Sequence, residues 1–391
     1  TQGVGATLFS LVLMCYIRHM KEIGFAYPKR DIHAPPVFND ELLRSIMDTE
    51  PALNRELLQN AALSQAPVHT IAACLDAYTK EHLRDLAQDH EMSVPSSLRK
   101  GEVVEKLVDR LVVQFPRMLP YFPQVNLEFL ARFKDSSAIE VEHDSLQFRD
   151  ISHVHNFGFL YLFRDGRKFT AVVPHELLPA LQILTEDGIW QRVNFHQRLD
   201  AYAVALSNLY GVLDIDQYAI VWNRFEAENL TPAMAMDELI ELGRIQYYWW
   251  FEDELVISSY FRSDSEVEQF MEKVRQVSYY SPSREDLVKF FETPYDDQSP
   301  AASAMLEFLS GYRLSNGEQI EDLMDDISDA CIVGEGMQDV FNLLNEYGLL
   351  FSGMEEINRF TELYAQLSDH SRKWELRGHT PVGLRKRSHS H

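Results

Sequence analysis

The sequence predicts a mostly helical α+β protein of several modules, among them a winged-helix-like module and β-hairpins. Three observations carry that expectation. Apolar residues recur at helical spacing over most of the chain. Two short β-prone runs fold back about charged turns, near 157–173 and 245–260. The 391 residues correspond to two to four domains at roughly 100–200 residues each.

Composition bounds the function. A hydrophobic fraction of 46% with 12% aromatics supplies a packed core and excludes global disorder. A net charge of −24 repels phosphate over most of the surface, so any nucleic-acid contact must come from a local patch. Cys15, Cys74 and Cys331 are too widely spaced for a disulfide framework or a Cys-x-x-Cys zinc site, which points to a reducing cytoplasm.

The chain divides into five stretches: a helical N-terminal region at 1–75, a helix–loop–helix at 76–115, a hairpin-containing α+β module at 118–190, the winged-helix-like module at 195–262, and a helical domain with a basic tail at 263–391. In the first, Gly3–Ile17 is apolar but shorter than the roughly 20 residues of a membrane span, so it reads as a buried helix, and a membrane role is not expected. Pro35 and Pro36 mark a linker, and the prolines of Phe115–Pro123 mark another.

Lys80–Val113 reads helix, extended link, helix. Leu83, Leu86 and Ala87 form one apolar face; Ser97 is placed to cap the second helix, whose face is Val103, Val104, Leu107, Val108 and Leu111. The arrangement L-x-x-L-A followed by L-R-K-x-E-V-x-x-x-L, carried by Leu83, Leu86, Ala87, Leu98, Arg99, Lys100, Glu102, Val103 and Leu107, resembles the N-terminal helix–loop–helix of the termination factor Rho, itself similar to SAP modules. That resemblance covers about 35 residues and implies contact with DNA or RNA. Six Lys/Arg against seven Asp/Glu from Lys80 to Arg110 depart from a positive phosphate-binding surface, leaving Arg99, Lys100 and Lys106 as the local basic edge. A helical connector without nucleic acid stays open beside it.

Phe157–Phe163 and Lys168–Val173 flank Arg164-Asp165-Gly166-Arg167, a tight hairpin signal, and Glu176–Leu184 reads as a helix. From Leu199 the order is helix, helix, helix, hairpin, that of a winged helix. Thr231 caps the third helix, with Pro232 in its first turn and Met236, Leu239 and Ile240 turned inward. A DNA-reading third helix carries cations into the major groove. This one carries Asp237, Glu238 and Glu241 against Arg244 alone, and Leu199–Phe261 holds eleven acids and two arginines, −9 in all. Protein contact suits it better than DNA. The run Tyr247-Tyr248-Trp249-Trp250-Phe251 puts aromatics on both faces of a strand. Tyr248 and Trp250 are then either packed under a neighbouring module or offered as a ligand surface, packing being the favoured reading.

At the C-terminus, Val340, Phe341, Leu344 and Tyr347 line one helix and Ile357, Phe360, Leu363, Tyr364 and Leu367 another. Arg372–Leu384 reads RKWELRGHTPVGL and resembles the closing GHTP segment of uncharacterised Gram-positive bacterial proteins, some of which continue into a zinc-binding SEC-C motif that this chain lacks. After Ser371 there are six Lys/Arg and one Glu, the one clearly basic patch.

Catalytic signals are weak. No phosphate-binding glycine motif or nucleophile elbow is present. His153 and His155 would share a strand face, with His143 or His175 as further ligands, yet read as sheet-edge histidines. Glu321, Asp322, Asp325, Asp326 and Asp329 share a helix face and read as solvated. No cofactor and no metal are expected. The chain therefore reads as a non-enzymatic accessory or regulatory protein, nucleic-acid-associated through the Rho-like element. A protein-interaction scaffold and an enzyme assembled from distant residues are the alternatives.

Overall fold

A computed structural model describes residues 51–142, 145–165, 168–246, 248–314 and 320–388. The apolar segment Gly3–Ile17, Cys15, the Pro35-Pro36 linker, His143, the Gly166-Arg167 hairpin tip and Tyr247 lie outside the described residues. The protein is mostly helical α+β, with one four-stranded and one three-stranded sheet among the described residues. The described residues form two compact units, one over 51–198 and one over 199–388.

In the first unit, α1 (Pro51–Ala61), α2 (Ile71–Asp76), α3 (Lys80–Asp89) and α4 (Lys100–Met118) precede α5 (Gln124–Leu130) and α6 (Ser152–Asn156). The strands are β1 (Ala62–Leu63), β2 (Ala138–Glu142), β3 (Tyr161–Asp165) and β4 (Lys168–Val172), ordered β1-β3-β4-β2. β3 and β4 form the expected hairpin, Asp165 opposite Lys168, and β1 joins β3 in parallel. Threonine hydroxyls cap α2 and α3, Thr70 accepting from the Ala73 N–H and Thr79 from that of His82.

Leu83, Leu86 and Ala87 of α3 are buried, as are Val103, Leu107 and Leu111 of α4. Three details differ from the sequence reading. Ser97 does not cap α4: the helix begins after Arg99, whose N–H is bound by the Glu102 carboxylate at 2.7 Å. Phe115–Pro123 is no linker. Pro116 lies within α4, while Phe115, Met118, Leu119 and Phe122 are buried, the Phe115 ring 4.8 Å from that of Phe159. Apolar burial there outweighs the helix-breaking tendency of proline. Finally, the helix expected at Glu176–Leu184 is a 3-10 segment over Leu178–Thr185.

The second unit opens within α7 (Asp187–Tyr210) and continues β5 (Val212–Asp214), α8 (Ile215–Phe225), α9 (Pro232–Gly243), β6 (Trp249–Glu252) and β7 (Leu255–Ser258). The antiparallel sheet order is β5-β7-β6. Asp214 caps α8 through the Gln217 N–H at 2.8 Å, and Thr231 caps α9 with Pro232 in its first turn. Leu239 is buried as expected, but Ile240 is 42% exposed, the inward face being Ala235, Leu239 and Leu242. α10 (Asp264–Val274) and α11 (Arg284–Glu292) lead into α12 (Pro300–Leu309), α13 (Ile320–Val333), α14 (Met337–Glu346), α15 (Met354–His370) and the terminal α16 (Pro381–Ser388). α12 to α15 enclose a core of Met305, Leu309, Leu323, Ile327, Leu344 and Phe360.

Candidate interaction surfaces

Along α4 the three predicted cations have different fates. Arg99 and Lys106 are exposed and seven residues apart, which keeps them on one stripe. The Lys100 ammonium is tied to the main-chain carbonyl of Asp76. Arg117, exposed and five turns of about 3.6 residues beyond Arg99, extends the stripe. The sequence-predicted face stops at Leu111, whereas the helix runs on to Met118 and so brings Arg117 onto the stripe. Arg110 also falls near this line but donates to the His90 carbonyl at 3.0 Å and pairs with Glu91 at 3.7 Å. Exposed Glu102 and Asp109 stand four residues before and three after Lys106, so acids flank the edge.

The third helix of the second unit is different. Asp237 is exposed and Glu238 and Glu241 half-buried. Arg244 donates to Glu241 at 3.0 Å, so the cation of this helix is neutralised within it. Met234 and Ile240 stand out among these acids, 49% and 42% exposed. At the β6–β7 turn Asp253 and Glu254 take positive φ, 49° and 63°, in a two-residue connection where glycine or asparagine is favoured. Burial, then the charges of Asp264 and Asp253, pushes the neighbouring Glu252 carboxyl up.

The aromatic strand is largely absorbed by packing. Trp249 is buried and donates its indole N–H to Asp200 at 2.8 Å. Burial pushes the Asp200 carboxyl up to about 7 despite that bond. Trp250 packs on the opposite face, with Val212, Ile257, Val267, Phe270 and Met271, so α10 helps cover the second side of the sheet. Tyr248 is half-buried.

The C-terminal basic segment is not an open patch. Lys373 and Arg377 are buried with Trp374 and His379. Arg372 bonds Asp286 at 3.0 Å and lies 3.7 Å over the Tyr280 ring; Arg377 lies 4.0 Å over Tyr279, near Asp214 and donating to the Val274 carbonyl. Lys373 donates to the Cys331 carbonyl at 3.0 Å. Burial opposes charge on Asp286, but the Ser283 N–H and the Arg372 guanidinium overcome it and hold its carboxyl below the usual range. These cations need partners because burying an uncompensated charge is costly.

The remaining chemistry is dispersed. His153 and His155 lie on the short helix α6, not on a strand, and burial pushes both rings down to about 4, a hydrogen bond to the Leu160 carbonyl opposing it at His155. His175 stacks instead on His69, 5.4 Å away. The Ser137 hydroxyl meets His69 Nδ1 at 2.9 Å, while Glu176 binds the Ile71 N–H at 3.1 Å, so that carboxylate is spent on the start of α2. The α13 acids are not simply solvated: Asp325 and Asp326 accept from the hydroxyls of Tyr295 and Tyr347. Among the described residues no three His, Cys, Asp or Glu side chains converge as metal ligands. No helix among them is long and apolar enough to cross a membrane. Cys74 and Cys331 are buried thiols, pushed up to about 12 and about 11 mainly by that burial.

No protein-family model, curated protein or solved structure matches this chain.

Proposed function

We propose that this protein is a non-enzymatic accessory or regulatory factor that acts by protein contact, and that α7–α9 with β5–β7 form a winged helix diverted from DNA reading. The Arg244–Glu241 pair carries the reading. Binding to duplex DNA gains most of its free energy by releasing counterions against free Lys and Arg. The third helix has its cation bound to its own carboxylate, and Asp237 beside it repels phosphate. The buried thiols at Cys74 and Cys331 fit a reducing cytoplasm. The test is fluorescence anisotropy of the full chain with duplex DNA at low salt. Binding that survives neutralisation of the α4 cations and is weakened by Arg244→Ala would defeat this reading.

A second reading is favoured by one observation, the exposed stripe Arg99–Lys106–Arg117. It would give the Rho-like element a weak contact with single-stranded or duplex nucleic acid. Combined Arg99→Ala, Lys106→Ala and Arg117→Ala substitutions should then lower the salt slope of binding by about two to three. No binding by the unaltered protein at low salt would remove this reading and leave the scaffold.

A further inference from the structure

We propose that the outward face of α4 around Val113 is a contact between two copies of this chain, paired antiparallel across a two-fold axis at that residue. Val112 and Val113 are 39% and 50% exposed on a helix whose inward face is already supplied by Leu107, Leu111, Phe115 and Met118. Asp109 and Arg117, both exposed, stand four residues before and four after Val113, so the three lie along one side of the helix, about a turn apart. Among the described residues neither the Asp109 carboxylate nor the Arg117 guanidinium has an ion-pair or hydrogen-bond partner. The inference goes beyond both readings above: Arg117, counted there with the basic stripe, serves here as an ion-pair partner.

Opposite charges at equal distances from an apolar residue make this face its own complement. Half a turn about Val113 lays that side chain on Val113 of the second copy and sets Asp109 of each copy against Arg117 of the other. The valines leave water, and both charge pairs are attractive. A parallel pairing would instead set Asp109 against Asp109 and Arg117 against Arg117, like charge on like. A nucleic acid would meet a carboxylate and two valines at this place, and none of these suits phosphate. Because α4 ends at Met118, the two helices overlap over residues 108–118, about three turns or roughly 16 Å. So small a contact belongs to a weak, transient dimer. The net charge of −24 opposes approach, but at roughly 0.15 M salt it is screened beyond about 8 Å while pairs in contact persist.

Sedimentation equilibrium of the full chain, free of nucleic acid, tests this. Reversible dimerisation with a Kd on the order of 100 µM is expected. Val113→Ser should weaken it by at least about fivefold. Asp109→Arg or Arg117→Asp alone should abolish it, because each sets like charges face to face. The two single variants mixed should associate about as tightly as the unaltered chain, and a chain carrying both substitutions should dimerise again, which also excludes misfolding as the cause of the losses. A monomer at every concentration, an unchanged dimer in either single variant, or no recovery in the mixture or the double variant overturns the proposal. If the unaltered chain stays monomeric while Arg117→Asp weakens nucleic-acid binding, Arg117 belongs to the nucleic-acid reading and the proposal falls.

Discussion

Trp374 fills the space above Gly211 so closely that a β-carbon at that glycine would lie 2.6 Å from the indole. Gly211 also has φ of 75°, and the Trp374 N–H reaches the Asn208 carbonyl at 2.8 Å, so the end of α7 and the C-terminal segment fit as one joint. Gly211→Ala adds backbone strain to a clash with a packed ring. A loss of about 2–4 kcal/mol is expected in urea unfolding of the second unit. Trp374→Ala should cost about 3 kcal/mol by leaving a cavity. Midpoints unchanged in both variants would mean that the joint is loose.

Arg377 is the second test of that joint. It is buried among Tyr279, Asp214 and the Val274 carbonyl. Arg377→Ala removes a cation and strands its acceptors, so a loss of about 2–4 kcal/mol is expected in the same unfolding measurement. Arg377→Lys should restore less than half, because an ammonium lacks the planar, several-donor geometry of guanidinium. Full rescue by lysine would reduce the interaction to charge alone.

What could be read from the sequence follows the range of the interactions. The hairpins, the Thr231 cap and the inward Leu239 depend on neighbours a few residues away, and these appear where alternation and capping rules put them. The burial of Arg372, Lys373 and Arg377 depends on Asp286, Cys331 and Asp214, from about 40 to 160 residues away, and a run of cations carries no local sign of them. Phe115–Pro123 misleads for the same reason, since its prolines are local signals and the partners of Phe115 and Phe122 are distant. The α9 acids could be located by sequence. The neutralisation of Arg244 by Glu241 and the exposure of Ile240 required the fold.

The β6–β7 turn holds Asp253 and Glu254 in the left-handed region. Non-glycine residues there carry a cost of roughly 1–2 kcal/mol, partly offset because glycine loses more entropy on folding. Glu254→Gly should therefore raise stability by about 0.5–1 kcal/mol in thermal or chemical unfolding. Unchanged or lowered stability would mean that the Glu254 side chain contributes more to the turn than its backbone costs.

Protonation should act on the two units in opposite directions. Asp200, titrating at about 7 when folded against roughly 3.9 in an unfolded chain, keeps a proton that unfolding releases. Stability of the second unit should thus fall as pH rises from about 4 to about 7, then level off. In the first unit, His153 and His155 titrate at about 4 when folded against roughly 6.5 unfolded. Their contribution is present above pH about 6.5 and lost as pH falls towards 4. Hydrogen exchange resolved by peptide at pH 5 and pH 7, corrected for intrinsic rates, separates the units. On acidification protection should weaken around α6 and strengthen around Asp200 and Trp249. Asp200→Asn retains an oxygen to accept the Trp249 indole N–H and removes the charge. It should raise the melting temperature at pH 8 and converge on the unaltered protein near pH 4. An equal shift at both pH values would show that Asp200 acts through packing and not through its proton.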